Sequence, residues 1–104
     1  MAYVATFQFE VVPGKMDEAM AALNKLKALH EASGARSRIL LPYYAGELFG
    51  RVIYIAEHDD VDSLASQFKG TEAALASGEA PVGPAVWGPD PCLKAVSSAI
   101  LMEV

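Results

Sequence analysis

Hydrophobic and polar residues alternate at the start of the chain. From Tyr3 to Val11 every odd position is aromatic or aliphatic, and Thr6, Gln8 and Glu10 fall between them. This period of two predicts a β-strand with one apolar face and one polar face. A Pro-Gly pair follows and ends the strand, because proline cannot donate to a sheet and glycine accepts turn dihedrals.

Two segments have the apolar spacing of helices. The first runs from Met16 to about Ser33, with acidic residues near its start and basic residues near its end, as the helix dipole favours. The second follows Asp59 and Asp60, which are candidate N-caps, and its apolar stripe extends from Val61 to Leu75. Gly70 lies inside this stripe and could divide the helix.

Two β-rich runs, Arg36 to Tyr44 and Leu48 to His58, are separated by three residues, Ala45 to Glu47. Such a short connection predicts an antiparallel hairpin. In the second run, the segment from Val52 to Ile55 is apolar on both faces, which is typical of a strand covered on both sides.

The end of the chain combines a loop and a strand. The segment from Glu79 to Cys92 contains four prolines and two glycines, so neither a regular helix nor a central strand is expected there. We predict an ordered loop anchored by Val86 and Trp87. Alternation from Ser97 to Val104 predicts the fourth strand.

The order of elements is therefore βαββαβ. Right-handed crossovers favour an antiparallel four-stranded sheet in the order 4-1-3-2, with both helices on one face, a ferredoxin-like α+β fold. We expect residues 1–104 to form one domain. The second face of the sheet would leave more apolar area in water than a monomer usually exposes, which predicts a symmetric homodimer.

Composition narrows the classes of partner. The chain has 104 residues, 53% of them hydrophobic, and a net charge of −5 with its basic residues scattered. Nucleic acid and membranes are therefore not expected as partners. Cys92 is the only cysteine, so no intrachain disulfide can form. The sequence shows no signal-peptide pattern and no apolar run of the ~20 residues that span a bilayer, and we expect a cytoplasmic protein.

Three segments carry a resemblance to a known superfamily. They are the VVPGK segment that joins the aromatic first strand to MDEA, the hydrophobic third strand that leads into DVDSL, and the short apolar last strand. In these the sequence resembles the dimeric α+β barrel superfamily, which includes antibiotic-biosynthesis-type monooxygenases and NIPSNAP-like proteins. The resemblance implies a pocket between sheet and helices. Members include cofactor-independent oxygenases, haem-degrading enzymes, isomerases and proteins without known activity, so it implies little about chemistry.

The polar face of the first strand offers the first candidate site. Thr6, Gln8 and Glu10 lie on a strand that the topology makes central, and Glu10 should come close to Arg51 on the third strand. One interpretation is a cross-strand ion pair at the rim of the sheet. The other makes Gln8, Glu10 and Arg51 the polar lining of a ligand cavity with apolar walls.

Three further ligand-binding candidates are His30, Tyr44 and Trp87. His30 lies in the last turn of the first helix, where it is either structural or a catalytic base. Tyr43 and Tyr44 point to opposite faces, so one should pack and the other could present its hydroxyl to the cavity. Trp87 either covers the pocket or holds the loop in place.

The leading functional hypothesis needs no cofactor. Phosphate-binding, nucleophile-elbow, Cys-x-x-Cys and dinucleotide motifs are lacking, and the His58-Asp59-Asp60 run does not have metal-ligand spacing. We predict a homodimer that binds a small apolar or aromatic molecule and acts as a cofactor-independent monooxygenase. The alternatives are a non-catalytic ligand-binding or structural dimer, and a haem-binding or haem-degrading barrel in which His30 or His58 reaches the cavity.

Overall fold

The computed structural model describes residues 2–41, 51–77, 85–86 and 88–103, without the side chains of 74–77. Six elements follow one another in the predicted order. They are β1 (Tyr3–Val11), α1 (Met16–Ala32), β2 (Arg36–Leu40), β3 (Arg51–His58), α2 (Val61–Ser77) and β4 (Leu93–Met102). The first strand has the predicted bounds. The predicted hairpin turn, Ala45 to Glu47, and the end of the second predicted strand lie outside the described residues.

The four strands form one antiparallel sheet in the order β2-β3-β1-β4. This is the predicted order, 4-1-3-2, read from the other edge, and the fold is ferredoxin-like as predicted. β1 lies in the middle and pairs with β3 on one side and β4 on the other. Residues paired across neighbouring strands share a face, so the register assigns each paired residue to one side of the sheet.

The core lies on one side of the sheet, beneath α1. On β3 every second residue is buried, and Val52, Tyr54, Ala56 and His58 are each 0% exposed. These residues share the face of Ala5, which is 1% exposed on β1. Helix α1 covers them with residues at helical spacing: Ala19, Leu23, Leu26 and His30. The alternate residues of the strands and the helically spaced residues of α1 thus pack together in one largely apolar layer.

The last strand begins earlier than its alternation predicts, at Leu93 and not at Ser97. A bulge explains the difference. Gln8 pairs with Ser97 while its neighbour Phe9 pairs with Ala95, so Val96 is an extra residue in β4. A bulge shifts the alternation of side chains by one position. The alternation of apolar and polar residues from Ser97 onward therefore does not extend back to the residues before Val96.

The segment before β4 is tied to β1 by backbone hydrogen bonds. The Cys92 amide donates to the Ala85 carbonyl at 2.9 Å, and the Val12 amide donates to the Cys92 carbonyl at 3.0 Å. Cys92 is buried as a free thiol. Ala85 is buried and Val86 packs against the core, which fits the predicted anchoring at Val86, whereas Trp87 lies outside the described residues.

Helix α2 is continuous through Gly70, so the division considered there does not occur. Asp60 caps its start, because the Ser63 amide donates to Asp60 Oδ1 at 2.8 Å. Asp59 pairs instead with Arg36, whose Nη2 lies 2.9 Å from Asp59 Oδ1. Neither described helix has the length and apolar character needed to cross a membrane.

Two glycines where the helices meet should respond in opposite directions to alanine. A Cβ added at Gly70 would lie 3.5 Å from Ser33 Oγ, an ordinary contact, whereas at Gly34 it would lie 3.1 Å from Ser63 Oγ on a backbone with φ of +94°. We expect Gly70→Ala to raise the free energy of unfolding by about 0.5–1 kcal/mol, because glycine is a poor helix former. Gly34→Ala should lower it by roughly 1–2 kcal/mol, because a side chain disfavours the left-handed backbone. Urea denaturation of both variants measures the two shifts, and equal signs would contradict this account.

Candidate functional site

An open-sided pocket of about 320 Å³ lies on the helix side of the sheet, between α2 and the two strands β1 and β4. The register builds it, since Ala5 lies opposite Ile100 and Phe7 opposite Ser98. The small side chain of Ala5 leaves room above the sheet, and Phe68 of α2 forms one aromatic wall. The lining residues are Ala5, Phe7, Phe68, Ser98, Ala99 and Ile100.

The pocket is apolar, with one side-chain hydroxyl. Phe68 is 46% exposed and Ile100 51% exposed, so both leave apolar surface in contact with water that a ligand would cover. Ser98 adds a hydroxyl that can donate or accept one hydrogen bond. Largely apolar walls with few polar groups are typical of small-molecule sites, and the volume falls at the lower end of their range.

Aromatic rings form the floor behind the pocket. Phe7 stacks on Phe9 with ring centroids 6.5 Å apart, and it packs against Tyr54 at 6.0 Å. The Tyr54 hydroxyl lies 2.8 Å from His30 Nδ1, and the two rings meet edge to face. Phe7 and Tyr54 are therefore in contact, and the hydrogen-bonded pair of Tyr54 and His30 belongs to the core beneath α1.

Burial controls the ionisation of this pair. His30 is 3% exposed, and burial, followed by the nearby His58, lowers the pKa of its imidazole from 6.5 to about 4. Burial raises the pKa of the Tyr54 phenol from 10.0 to about 12. At neutral pH both groups are uncharged. The Ser37 hydroxyl lies near Tyr54 and is buried without a hydrogen-bond partner among the described residues.

A second buried histidine joins the sheet to α2. His58, the last residue of β3, lies with Nδ1 2.7 Å from Ser63 Oγ, and its Nε2–H donates to Gln67 Oε1. Ser63 Oγ also lies 3.1 Å from the Ser33 carbonyl oxygen at the end of α1. One polar cluster therefore connects β3 and both helices.

The polar residues predicted on β1 lie on the opposite face of the sheet from the pocket. Glu10 stands directly opposite Arg51 in the register, as predicted. In the described structure Arg51 Nη1 donates to Gln8 Oε1 at 3.3 Å, and no Glu10–Arg51 ion pair is found. Thr6 Oγ1 donates to the Ala99 carbonyl at 3.5 Å. A ligand-binding role for Thr6, Gln8, Glu10 and Arg51 remains a prediction.

The sheet separates these residues from His30. Gln8, Glu10 and Arg51 are brought together, but His30 lies on the helix side and cannot share a cavity with them. Tyr44 and Trp87 lie outside the described residues. Within residues 2–41, 51–77, 85–86 and 88–103, no group of three His, Cys, Asp or Glu side chains lies close enough to hold a metal ion.

Sequence reasoning did not identify the pocket residues Phe68, Ser98 and Ile100. Phe68 belongs to the apolar stripe of α2, a pattern that ordinarily indicates core. Two features of the sequence could have indicated this role: Gly70, two residues after Phe68, and the weak apolar stripe of α2. Both suggest a helix that covers the sheet incompletely.

No model of a known protein family matches the chain, and neither does any curated protein. Solved structures do match. A NIPSNAP-like domain protein from Burkholderia xenovorans is 14% identical over 99% of this chain and 85% of its own, with a TM-score of 0.66. A variant of SnoaB, a cofactor-independent oxygenase from Streptomyces nogalater, is 10% identical over 98% of this chain and 92% of its own, with a TM-score of 0.63.

A third match is an antibiotic-biosynthesis-monooxygenase-like protein from Chloroflexus aurantiacus. It is 14% identical over 100% of this chain and 94% of its own, with a TM-score of 0.54. At such identities the likeness is one of fold. The predicted resemblance to NIPSNAP-like and antibiotic-biosynthesis-monooxygenase-like proteins is confirmed at that level.

The lowered pKa of His30 predicts an acid-dependent loss of stability. Between about pH 6.5 and pH 4 the unfolded chain binds a proton that the folded chain does not. The free energy of unfolding should therefore fall as the pH drops through this window, by roughly 3 kcal/mol in all. His30→Gln, which keeps a polar partner for Tyr54, should show a correspondingly smaller decrease. Urea denaturation of both proteins at pH 7, 6 and 5 tests this, and parallel pH profiles would contradict it.

Proposed function

We propose that the protein binds a small apolar or aromatic molecule in the pocket between α2 and strands β1 and β4, and that it acts on this molecule as a cofactor-independent monooxygenase. The observation that carries the proposal is the exposed apolar lining, Phe68 and Ile100 above all, on a fold shared with a cofactor-independent oxygenase. Apolar side chains in a concave site gain free energy when a ligand displaces water from them.

The lining fits chemistry in which the substrate itself reduces oxygen. An electron-rich phenol or hydroquinone can reduce O₂ once it is oriented and removed from water. The substrate supplies all four electrons, so that one oxygen atom enters its ring and the other is released as water while the ring is oxidised to a quinone. Apolar walls at Phe7, Phe68 and Ile100 would supply that environment. The Ser98 hydroxyl can hydrogen-bond a phenolic oxygen and fix the orientation of the ring.

A non-catalytic binding protein is the second candidate, and a specific observation favours it. None of the six lining residues carries a titratable side chain, so the described pocket offers no general base. Haem binding is less well supported, because His30 and His58 are both buried and hydrogen-bonded to neighbouring side chains.

The homodimer belongs to the same proposal. The sheet face opposite the helices carries apolar side chains that no described element covers, with Leu40 41% exposed and Leu101 56% exposed. Packing this face against its copy in a second chain would remove it from water. The apolar residues on this face include Val4, Leu40, Ile53, Ile55 and Leu101.

Replacing Phe68 should weaken binding, and Val61 provides a matched control. Both are exposed apolar residues of α2, and only Phe68 lines the pocket. We expect Phe68→Ala to weaken the affinity for the neutral two-ring probe N-phenyl-1-naphthylamine about tenfold, since covering half of a phenyl ring contributes about 1.4 kcal/mol. Val61→Ala should leave the affinity within about twofold. Fluorescence titration measures both, and equal affinities for the two variants would overturn the pocket.

Oxygen uptake tests the catalytic part of the proposal. Wild-type protein should accelerate oxygen consumption by at least one member of a panel of naphthols and hydroquinones, and Phe68→Ala should reduce the rate. If no member of the panel is consumed faster but the probe still binds normally, the catalytic proposal is wrong and the protein is a non-catalytic binding protein.

A charge on the uncovered sheet face should prevent dimerisation. Ile55 lies on that face next to Arg38 of β2, and we expect Ile55→Lys to be monomeric because a lysine cannot be buried there without a partner. Val61→Lys makes the same change on α2 and should remain dimeric. Light scattering at micromolar concentration distinguishes the two states, and a monomeric wild type would refute the dimer.

A further inference from the structure

We propose that Gln67 and His58 are positioning residues for the pocket, because their hydrogen bond holds α2 at the height and rotation that place Phe68 over β1 and β4. The inference rests on the proposed binding of a ligand in this pocket. Neither residue lines the pocket.

The bond is fully enclosed by protein. His58 is 0% exposed and Gln67 is 2% exposed. The imidazole contacts α2 at two points one turn apart, Ser63 Oγ and Gln67 Oε1. Hydrogen bonds depend on direction as well as distance, so two of them to one rigid ring fix both the rotation of the helix and its position along its axis.

Apolar contacts hold α2 only weakly. Among its described side chains, Val61 to Ala73, only Leu64 and Gln67 are buried. Val61 is 56% exposed and Phe68 46% exposed, so two of the three stripe residues with described side chains leave much of their apolar surface in water. By contrast, α1 has four buried residues on its inner face. The polar cluster is therefore a major attachment of α2 to the sheet.

Gln67 and Phe68 are adjacent in sequence, which links the bond to the pocket wall. Neighbouring residues of a helix point about 100° apart, so Gln67 can point into the protein while Phe68 extends over the pocket. A rotation of α2 that breaks the Gln67 bond necessarily moves Phe68. The affinity of the pocket should therefore depend on a residue that the ligand does not touch.

The test compares two substitutions at one position. Gln67→Met has a similar shape but offers only a weak sulfur acceptor, whereas Gln67→Glu keeps an acceptor oxygen for His58 Nε2–H. We expect Gln67→Met to weaken binding of N-phenyl-1-naphthylamine roughly fivefold to tenfold, the equivalent of one net hydrogen bond. Gln67→Glu should stay within about twofold of wild type. Should Gln67→Met fail to fold, Ser63→Ala removes the other contact to His58 and should weaken binding in the same direction.

Val52→Ala separates positioning from general destabilisation. Val52 is fully buried on β3, and it does not line the pocket. This control should lower stability without changing probe affinity. Hydrogen exchange gives a readout that needs no ligand: the amides of residues 64–72 should exchange faster in Gln67→Met than in Val52→Ala, and near the wild-type rate in Gln67→Glu.

The outcomes distinguish this inference from the proposed function. Normal probe binding by wild type and by Gln67→Met would overturn the positioning role and leave the pocket intact. Failure of wild-type protein to bind the probe would overturn the pocket and, with it, the inference. Equal weakening by Gln67→Met and Gln67→Glu would also overturn it, because the hydrogen bond would then not be the cause.

Discussion

The arrangement depends on the coverage of one side of the sheet by α1. Its buried residues lie over β3 and β1, where alternate side chains are almost completely removed from water. Coverage does not extend to β4, in which Leu93 is buried and the following residues are exposed. Two helices of equal length could cover four strands, but among the described side chains of α2 only Leu64 and Gln67 are buried. The pocket is the space that results.

This incomplete coverage changes what holds α2 in place. An apolar helix face adapts to small shifts, because the hydrophobic effect has no direction. The contacts of His58 with Ser63 and Gln67 do have direction, and Ser63 extends them to the Ser33 carbonyl of α1. A buried polar cluster of this kind is costly when partly unsatisfied, so it favours one position of the helix over nearby alternatives. A helix that forms one wall of a pocket benefits from that restriction.

The hydrophobic patterns along the chain predicted the helices and strands well, but they predicted only part of how these elements pack together. β1 has its predicted bounds because its alternation is uninterrupted, and α1 begins at the predicted residue because a turn precedes it. The start of β4 could not be predicted, because the bulge at Val96 interrupts the alternation. The pairing of Glu10 with Arg51 was predictable from topology, but the hydrogen bond of Arg51 to Gln8 depends on side-chain conformations that no sequence pattern specifies. Phe68 has the spacing of a core residue, and only the position of α2 makes it a pocket wall.

The two faces of the sheet are not independent, because β1 and β4 contribute alternate residues to both. Ala5 and Ile100 line the pocket, whereas their neighbours Thr6 and Leu101 point to the opposite face. A change of register by one residue would exchange the two sets, so the same strand pairing that builds the pocket also builds the proposed dimer surface. The bulge lies just outside this stretch, between Gln8 and Phe9, and the pairing from Tyr3 to Gln8 is regular. Packing a second chain against the opposite face would therefore restrain β4, the edge strand of the described sheet, which also forms one wall of the pocket. The proposed dimerisation and the proposed ligand binding would accordingly be coupled through β4, even though no side chain needs to take part in both.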